Sequence, residues 1–186
     1  MTFALRSEIR KALGLIVLAV LAIGRNPTPA QAGYIVTLTE EGSNIVATGS
    51  GTIDLTGLSP TGGGNTLSAR LNPGSGVIIT GPTSNVPIQI YNGVTGPTSF
   101  GIALFTVASS GRGDLAGIQG SGPSQLFLPF GYVSDSLLSD TSTYNNRPLS
   151  NLGVTPGTYE WTWGSGDHAD TFTLNAAVNA VPELPR

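Results

Sequence analysis

The sequence contains no cysteine, one histidine and one lysine, and only 10% of its 186 residues are charged. Without cysteine no disulfide can contribute stability, so a folded domain has to rest on a buried core. With His168 as the one histidine, any general base of ordinary pKa or imidazole metal ligand has to be that residue. The lysine, Lys11, lies in the first 32 residues; beyond them Arg70, Arg112, Arg147 and Arg186 face ten carboxylates, a net charge of −6. So acidic a surface does not neutralise phosphates by counterion release, which argues against nucleic acid and anionic membrane surfaces as partners. No segment past residue 32 keeps apolar residues at helical spacing for three turns, which argues against a helical domain.

What is present at the N-terminus reads as an export signal. Arg6, Arg10 and Lys11 precede an apolar run of 13 residues, 12–24. A membrane-spanning helix needs roughly 20, so this run fits the core of a signal peptide. Pro27 and Pro29 end it, and Ala30-Gln31-Ala32 offers the small-x-small pattern read by signal peptidase. Residues 1–32 are therefore expected to be removed after Ala32, leaving 154 of the 186 residues. That length suffices for one domain burying roughly 70% of its unfolded surface.

Twenty-six glycines and thirteen prolines punctuate apolar runs rather than a polar chain, the opposite of the disordered signature. Residues 34–39 and 44–53 read as strands joined by a hairpin, and 67–71, 76–80, 87–91, 100–108, 115–119 and 125–130 as further short strands. Residues 61–65, with Gly62-Gly63-Gly64, read as a loop, and 147–152 as at most one helical turn. Thr80-Gly81-Pro82-Thr83-Ser84 recurs as Thr95-Gly96-Pro97-Thr98-Ser99; two copies are too few for a solenoid and suggest two similar turns at one end of a sheet. Roughly ten short strands at 8–12-residue spacing predict an all-β fold: a single antiparallel β-sandwich or jelly-roll-like domain over residues 33–176, with a spacer at 177–186.

The C-terminal third is the most informative part. Tyr159, Trp161 and Trp163 alternate with polar residues, Gly164-Ser165-Gly166-Asp167 supplies a turn, and Phe172 and Leu174 resume the alternation. A hairpin follows, with Trp161, Trp163, Phe172 and Leu174 on one buried face and Glu160 and Thr162 on the other. The same stripe, if exposed, offers aromatic faces for sugar stacking, so Tyr159, Trp161 and Trp163 are the candidate glycan platform. Asp167, His168 and Asp170 cluster beside Ser165, but residues on one turn do not converge as a triad requires, and Gly164-Ser165-Gly166 lacks a nucleophile-elbow frame. One histidine and two aspartates also fall short of a closed metal site, and Asp135 and Asp140 lack a calcium-loop pattern. Arg112-Gly113-Asp114, an adhesion-type tripeptide in a Gly/Ser-rich loop, is read as chance. No catalytic, cofactor or metal residues are assigned.

Several blocks resemble bacterial secreted proteins that carry a PEP-CTERM sorting tail. They include Gly33-Tyr34-Ile35-Val36-Thr37-Leu38, Gly113-Asp114-Leu115-Ala116-Gly117-Ile118, Val154-Thr155-Pro156-Gly157-Thr158-Tyr159 and the Trp161-Thr162-Trp163-Gly164 block. Val181-Pro182-Glu183 is similar to the start of the sorting motif, whereas Leu184 stands where the second proline belongs. The resemblance implies an extracytoplasmic location and exopolysaccharide or other matrix proteins as partners. No membrane helix or basic cluster follows the motif in this sequence, so a stable anchor is not expected. The leading expectation is an exported, non-catalytic envelope or extracellular-matrix protein. The alternative is a secreted carbohydrate-binding module, and a hydrolase using Ser165 and His168 ranks last.

Overall fold

In Tyr34–Glu41 (β1) the buried Tyr34, Val36 and Leu38 alternate with outward side chains, and Asn44–Gly51 (β2) returns antiparallel with Ile45 and Ala47 inward. Gly42, at φ 63°, takes the positive value that lets a two-residue hairpin follow the strand twist. The computed structural model describes residues 33–177 except Ala103. The expected signal peptide with Ala30 and Ala32, and the tail motif Val181-Pro182-Glu183, lie outside the described residues.

Eleven further strands follow: Ser59–Leu67 (β3), Arg70–Asn72 (β4), Val77–Thr80 (β5), Val86–Asn92 (β6), Thr106–Val107 (β7), Ser110–Gly113 (β8), Ala116–Gln119 (β9), Gln125–Pro129 (β10), Leu138–Tyr144 (β11), Gly157–Trp163 (β12) and Asp170–Ala176 (β13). They form two sheets, ordered β12-β13-β1-β2-β11-β8 and β3-β6-β10-β9-β5-β4-β7. One core joins them, with Val36, Ile45, Trp161 and Phe172 from the first sheet meeting Leu71, Ile78, Ile118 and Leu126 from the second. The chain is thus an all-β sandwich. All strand pairs are antiparallel except β1 with β13, which run parallel from Tyr34↔Phe172 to Leu38↔Ala176. That pair joins the first and last strands, so the whole intervening domain serves as the long crossover a parallel pair needs.

The C-terminal hairpin adopts the expected register. Trp161 pairs with Phe172 and Tyr159 with Leu174; Trp161, Trp163, Phe172 and Leu174 are buried, while Glu160 and Thr162 face outward. Residues 149–152 form the expected short turn, as a 3-10 helix.

Four local expectations are corrected. Residues 61–65 are not a loop but part of β3. Gly62 and Gly64, at φ 48° and 93°, accommodate two register shifts against β6, and as an edge strand β3 needs pairing on one side only. Residues 100–108 form just the two-residue β7 on β4 and a single bridge from Gly101 to Val154, because Ile102, Phe105 and Val107 are exposed. The two Thr-Gly-Pro-Thr-Ser segments flank β6 at its opposite ends, since one strand, not two, separates them. Arg112 and Gly113 belong to β8, paired with Thr141 and Asp140 of β11. There a side chain at Gly113 would strike the Ser139 carbonyl, so glycine permits the close backbone approach.

Candidate functional site

The expected chemical cluster around His168 is reorganised by a residue far away in sequence. Asp54 Oδ2 meets His168 Nδ1 at 2.8 Å, Asp54 Oδ1 accepts from the Thr56 amide at 2.8 Å and from Ser134 Oγ at 3.3 Å, and the Asp54 carbonyl accepts from Trp163 Nε1 at 2.7 Å. The buried Asp170 accepts from the Asp54 amide through Oδ2 and from the Thr171 amide through Oδ1, both at 2.7 Å. The Thr56 amide, then the His168 side chain, hold the Asp54 carboxyl down at about 2. The Asp54 carboxylate in turn raises the His168 pKa, whereas burial raises that of Asp170.

Asp54 therefore ties the β2–β3 connection to β12, β13 and the turn before β11. Ser134 Oγ bonds to the carboxylate rather than to the imidazole, as does the Thr56 side chain. Ser165 contributes its backbone carbonyl to the His168 amide, and Asp167 is exposed. The hint of Asp54 in the sequence is Asp54-Leu55-Thr56, an aspartate whose side chain caps the amide two residues on. Among the described residues no group of three or more His, Cys, Asp or Glu side chains is placed to hold a metal ion.

Asp140 is instead an interior residue. Its Oδ2 accepts from the Tyr34 hydroxyl, its Oδ1 has no hydrogen-bond partner, and burial pushes its carboxyl up to about 6 against the opposing effect of the tyrosine bond. The pair fits because residue 49 is glycine; a Cβ there would strike the Tyr34 hydroxyl and stand 2.7 Å from Asp140 Oδ1.

The aromatic stripe offers no sugar platform. Trp161 is 0% and Trp163 4% exposed, and their indole N–H groups donate to the carbonyls of Pro97 and Asp54. Phe100 and Phe172 stand edge-on to Trp161 at 6.3 and 6.0 Å, and the half-buried Tyr159 packs on Phe100 at 5.7 Å. Tyr159 and Trp161 are thus engaged by other rings, and Trp163 is buried.

An open surface suited to a ligand lies elsewhere, on the outer face of the second sheet. Its inner row, Leu71-Ile78-Ile118-Leu126-Tyr91, is core. Strand parity places the alternate residues outside, and register aligns Arg70-Ile79-Gly117-Phe127-Ile90 as one row across five strands. The neighbouring row is polar: Gln119 lies across from Gln125, and Gln125 across from Asn92, with Asn72 and Val77 paired at the far end. The middle of the row is closed: the Ile79 side chain fills the position that a Cβ on Gly117 would take, and Ile79 and Phe127 are buried with Ile88 and Leu115 in a second apolar cluster. The two rows line a groove of about 500 Å³, within the usual range for ligand sites, flanked by Asn65 of β3 and by Phe105.

Its lining includes no Asp, Glu, His, Lys or Tyr. Arg70 is the one charge, its guanidinium 5.9 Å from the Phe105 ring centre, with Nε and Nη2 bonded to Ser68. Among the described residues no carboxylate pairs with it. Sequence reading missed this surface because its residues are unremarkable singly and converge only through the register. No family model, curated protein or solved structure matches the chain.

Proposed function

We propose that this protein is an exported, non-catalytic component of a bacterial envelope or extracellular matrix, and that its sandwich serves to hold a ligand rather than transform one. The observation that carries this reading is the composition of the groove. It offers apolar area, amides, one guanidinium and the hydroxyls of Thr66, Ser75 and Ser121, but no carboxylate, imidazole, thiol or amine in the lining to activate a hydroxyl or relay a proton. The Asp54–His168 pair supports the same reading, since the neighbouring Ser134 and Thr56 side chains both bond to the carboxylate rather than to the imidazole, and a base without a nucleophile performs no acyl transfer. The signal-like residues 1–32 and the acidic balance of the rest suit an extracytoplasmic location.

Expression of the full chain with a C-terminal tag in a bacterial host tests the location. Mass spectrometry of the extracytoplasmic fraction is expected to find a protein beginning at Gly33. Recovery from the cytoplasm alone, with the N-terminal segment intact, overturns it.

A further inference from the structure

We propose that the groove on the outer face of the second sheet binds a uronic-acid-bearing glycan, with the sugar carboxylate on Arg70. The inference concerns the folded sandwich and holds wherever the protein resides, so it does not depend on export.

Three observations converge on that ligand class. First, Arg70 is an unpaired guanidinium in a lining that contains no acid, although the described residues as a whole carry three arginines against nine carboxylates. On an acidic protein, a concave face free of carboxylates is favourable to an approaching anion. With Nε and Nη2 held by Ser68, the guanidinium is fixed in place and retains donors for a planar carboxylate.

Second, Phe105 stands beside that cation with 59% of its surface exposed, an aromatic face available to the apolar side of a sugar ring. Third, the polar row supplies neutral hydrogen-bonding groups suited to ring hydroxyls. Gln119 and Gln125 commit their Nε2 groups to Ser121 and Asn92, which leaves their Oε1 atoms as acceptors, and the Asn65 side chain makes no hydrogen bond of its own. A fatty acid shares the carboxylate but has no use for this amide row, and it calls for an enclosed tunnel rather than an open groove.

Calorimetric titration of the full chain with a hexagalacturonate tests the proposal, with a neutral cellohexaose and a long-chain fatty acid as comparison ligands. The uronate is expected to bind, and to bind more weakly as salt rises. Arg70→Gln is expected to weaken binding about tenfold or more and to flatten the salt dependence, since charge-assisted bonds are the strong ones. Phe105→Ala is expected to weaken it at unchanged salt dependence. Arg112→Gln, an exposed arginine on β8 of the other sheet, is expected to leave it unchanged and controls for diffuse electrostatics. Thermal unfolding of each variant checks that the fold survives, and Arg70→Lys, which keeps the charge, replaces Arg70→Gln if that variant unfolds. The proposal is overturned by no binding at millimolar hexagalacturonate, by equal affinity for the neutral oligomer, by preference for the fatty acid, or by an Arg112→Gln loss as large as that at Arg70.

Discussion

Trp161 stands directly across from Phe172 in the β12–β13 pair, and their rings meet edge to face at 6.0 Å. The contact sits at the centre of a chain of rings from Tyr34 through Phe172, Trp161 and Phe100 to Tyr159. It couples the outermost strand of one sheet to the first strand, and through Phe100 to the connection after β6. A single register holds this arrangement, because a slip of one residue buries Glu160 and exposes both indoles.

Trp161→Ala is expected to remove the middle of that chain, and with it the bond from Nε1 to the Pro97 carbonyl. The loss should be about 3–5 kcal/mol, a large fraction of the roughly 5–15 kcal/mol that holds a domain of this size together. Urea unfolding followed by circular dichroism should show a much lower midpoint at unchanged slope. A midpoint that stays put means the indole is not core.

Acidity should stabilise the fold through Asp140. Its carboxyl titrates at about 6 in the folded chain against 3.8 for an ordinary aspartate, so between those values the folded state binds more protons than the unfolded one. Stability from this group is therefore fully present below pH 3.8 and is lost as pH rises through about 6. The difference amounts to about 3 kcal/mol. Asp170, also raised by burial, acts in the same direction, while Asp54, held at about 2, acts oppositely at the acid end. Denaturant midpoints measured from weakly acid to neutral pH should fall, and Asp140→Asn should flatten the profile. An unchanged profile in the variant assigns the slope to other groups.

Asp54 and His168 should prove unequal partners. Asp54→Ala strands the Thr56 amide, Ser134 Oγ and the imidazole together, and is expected to cost about 1–3 kcal/mol. His168→Ala removes only an exposed partner, screened by solvent, and should shift stability far less. Thermal unfolding of both variants at neutral pH decides; equal losses contradict the hub role of Asp54.

Gly49→Ala tests the fit around the buried Tyr34–Asp140 pair. A methyl there collides with the Tyr34 hydroxyl, and neither partner can retreat because both are interior. Overpacking of this kind costs about 1–3 kcal/mol, whereas Gly42→Ala meets no neighbour and carries only the strain of its positive φ. The expected signature is an altered pH profile in Gly49→Ala as well as a lower melting temperature. A lower melting temperature with the wild-type pH profile separates the glycine from the pair.

Period-two alternation was enough to read β1, β2, β12 and β13 from the sequence, including which side of the last hairpin is buried, because one face of each strand meets the core and the other meets water. It was not enough for β11, where the buried face mixes Leu138 and Tyr144 with the polar Asp140 and Ser142. Nor did it reveal β3 and β8, whose glycines signal turns locally but serve here as bulges and close approaches. The core rings, the all-β class and the punctuated architecture are thus properties of local pattern. The groove and the Asp54 hub are not. Arg70 and Phe127 share a row only because four strand pairs align them, and Asp54 meets His168 across 114 residues. Local pattern sets which face of a strand turns inward; which strands become neighbours, and in what register, is decided by how the whole set of faces packs together.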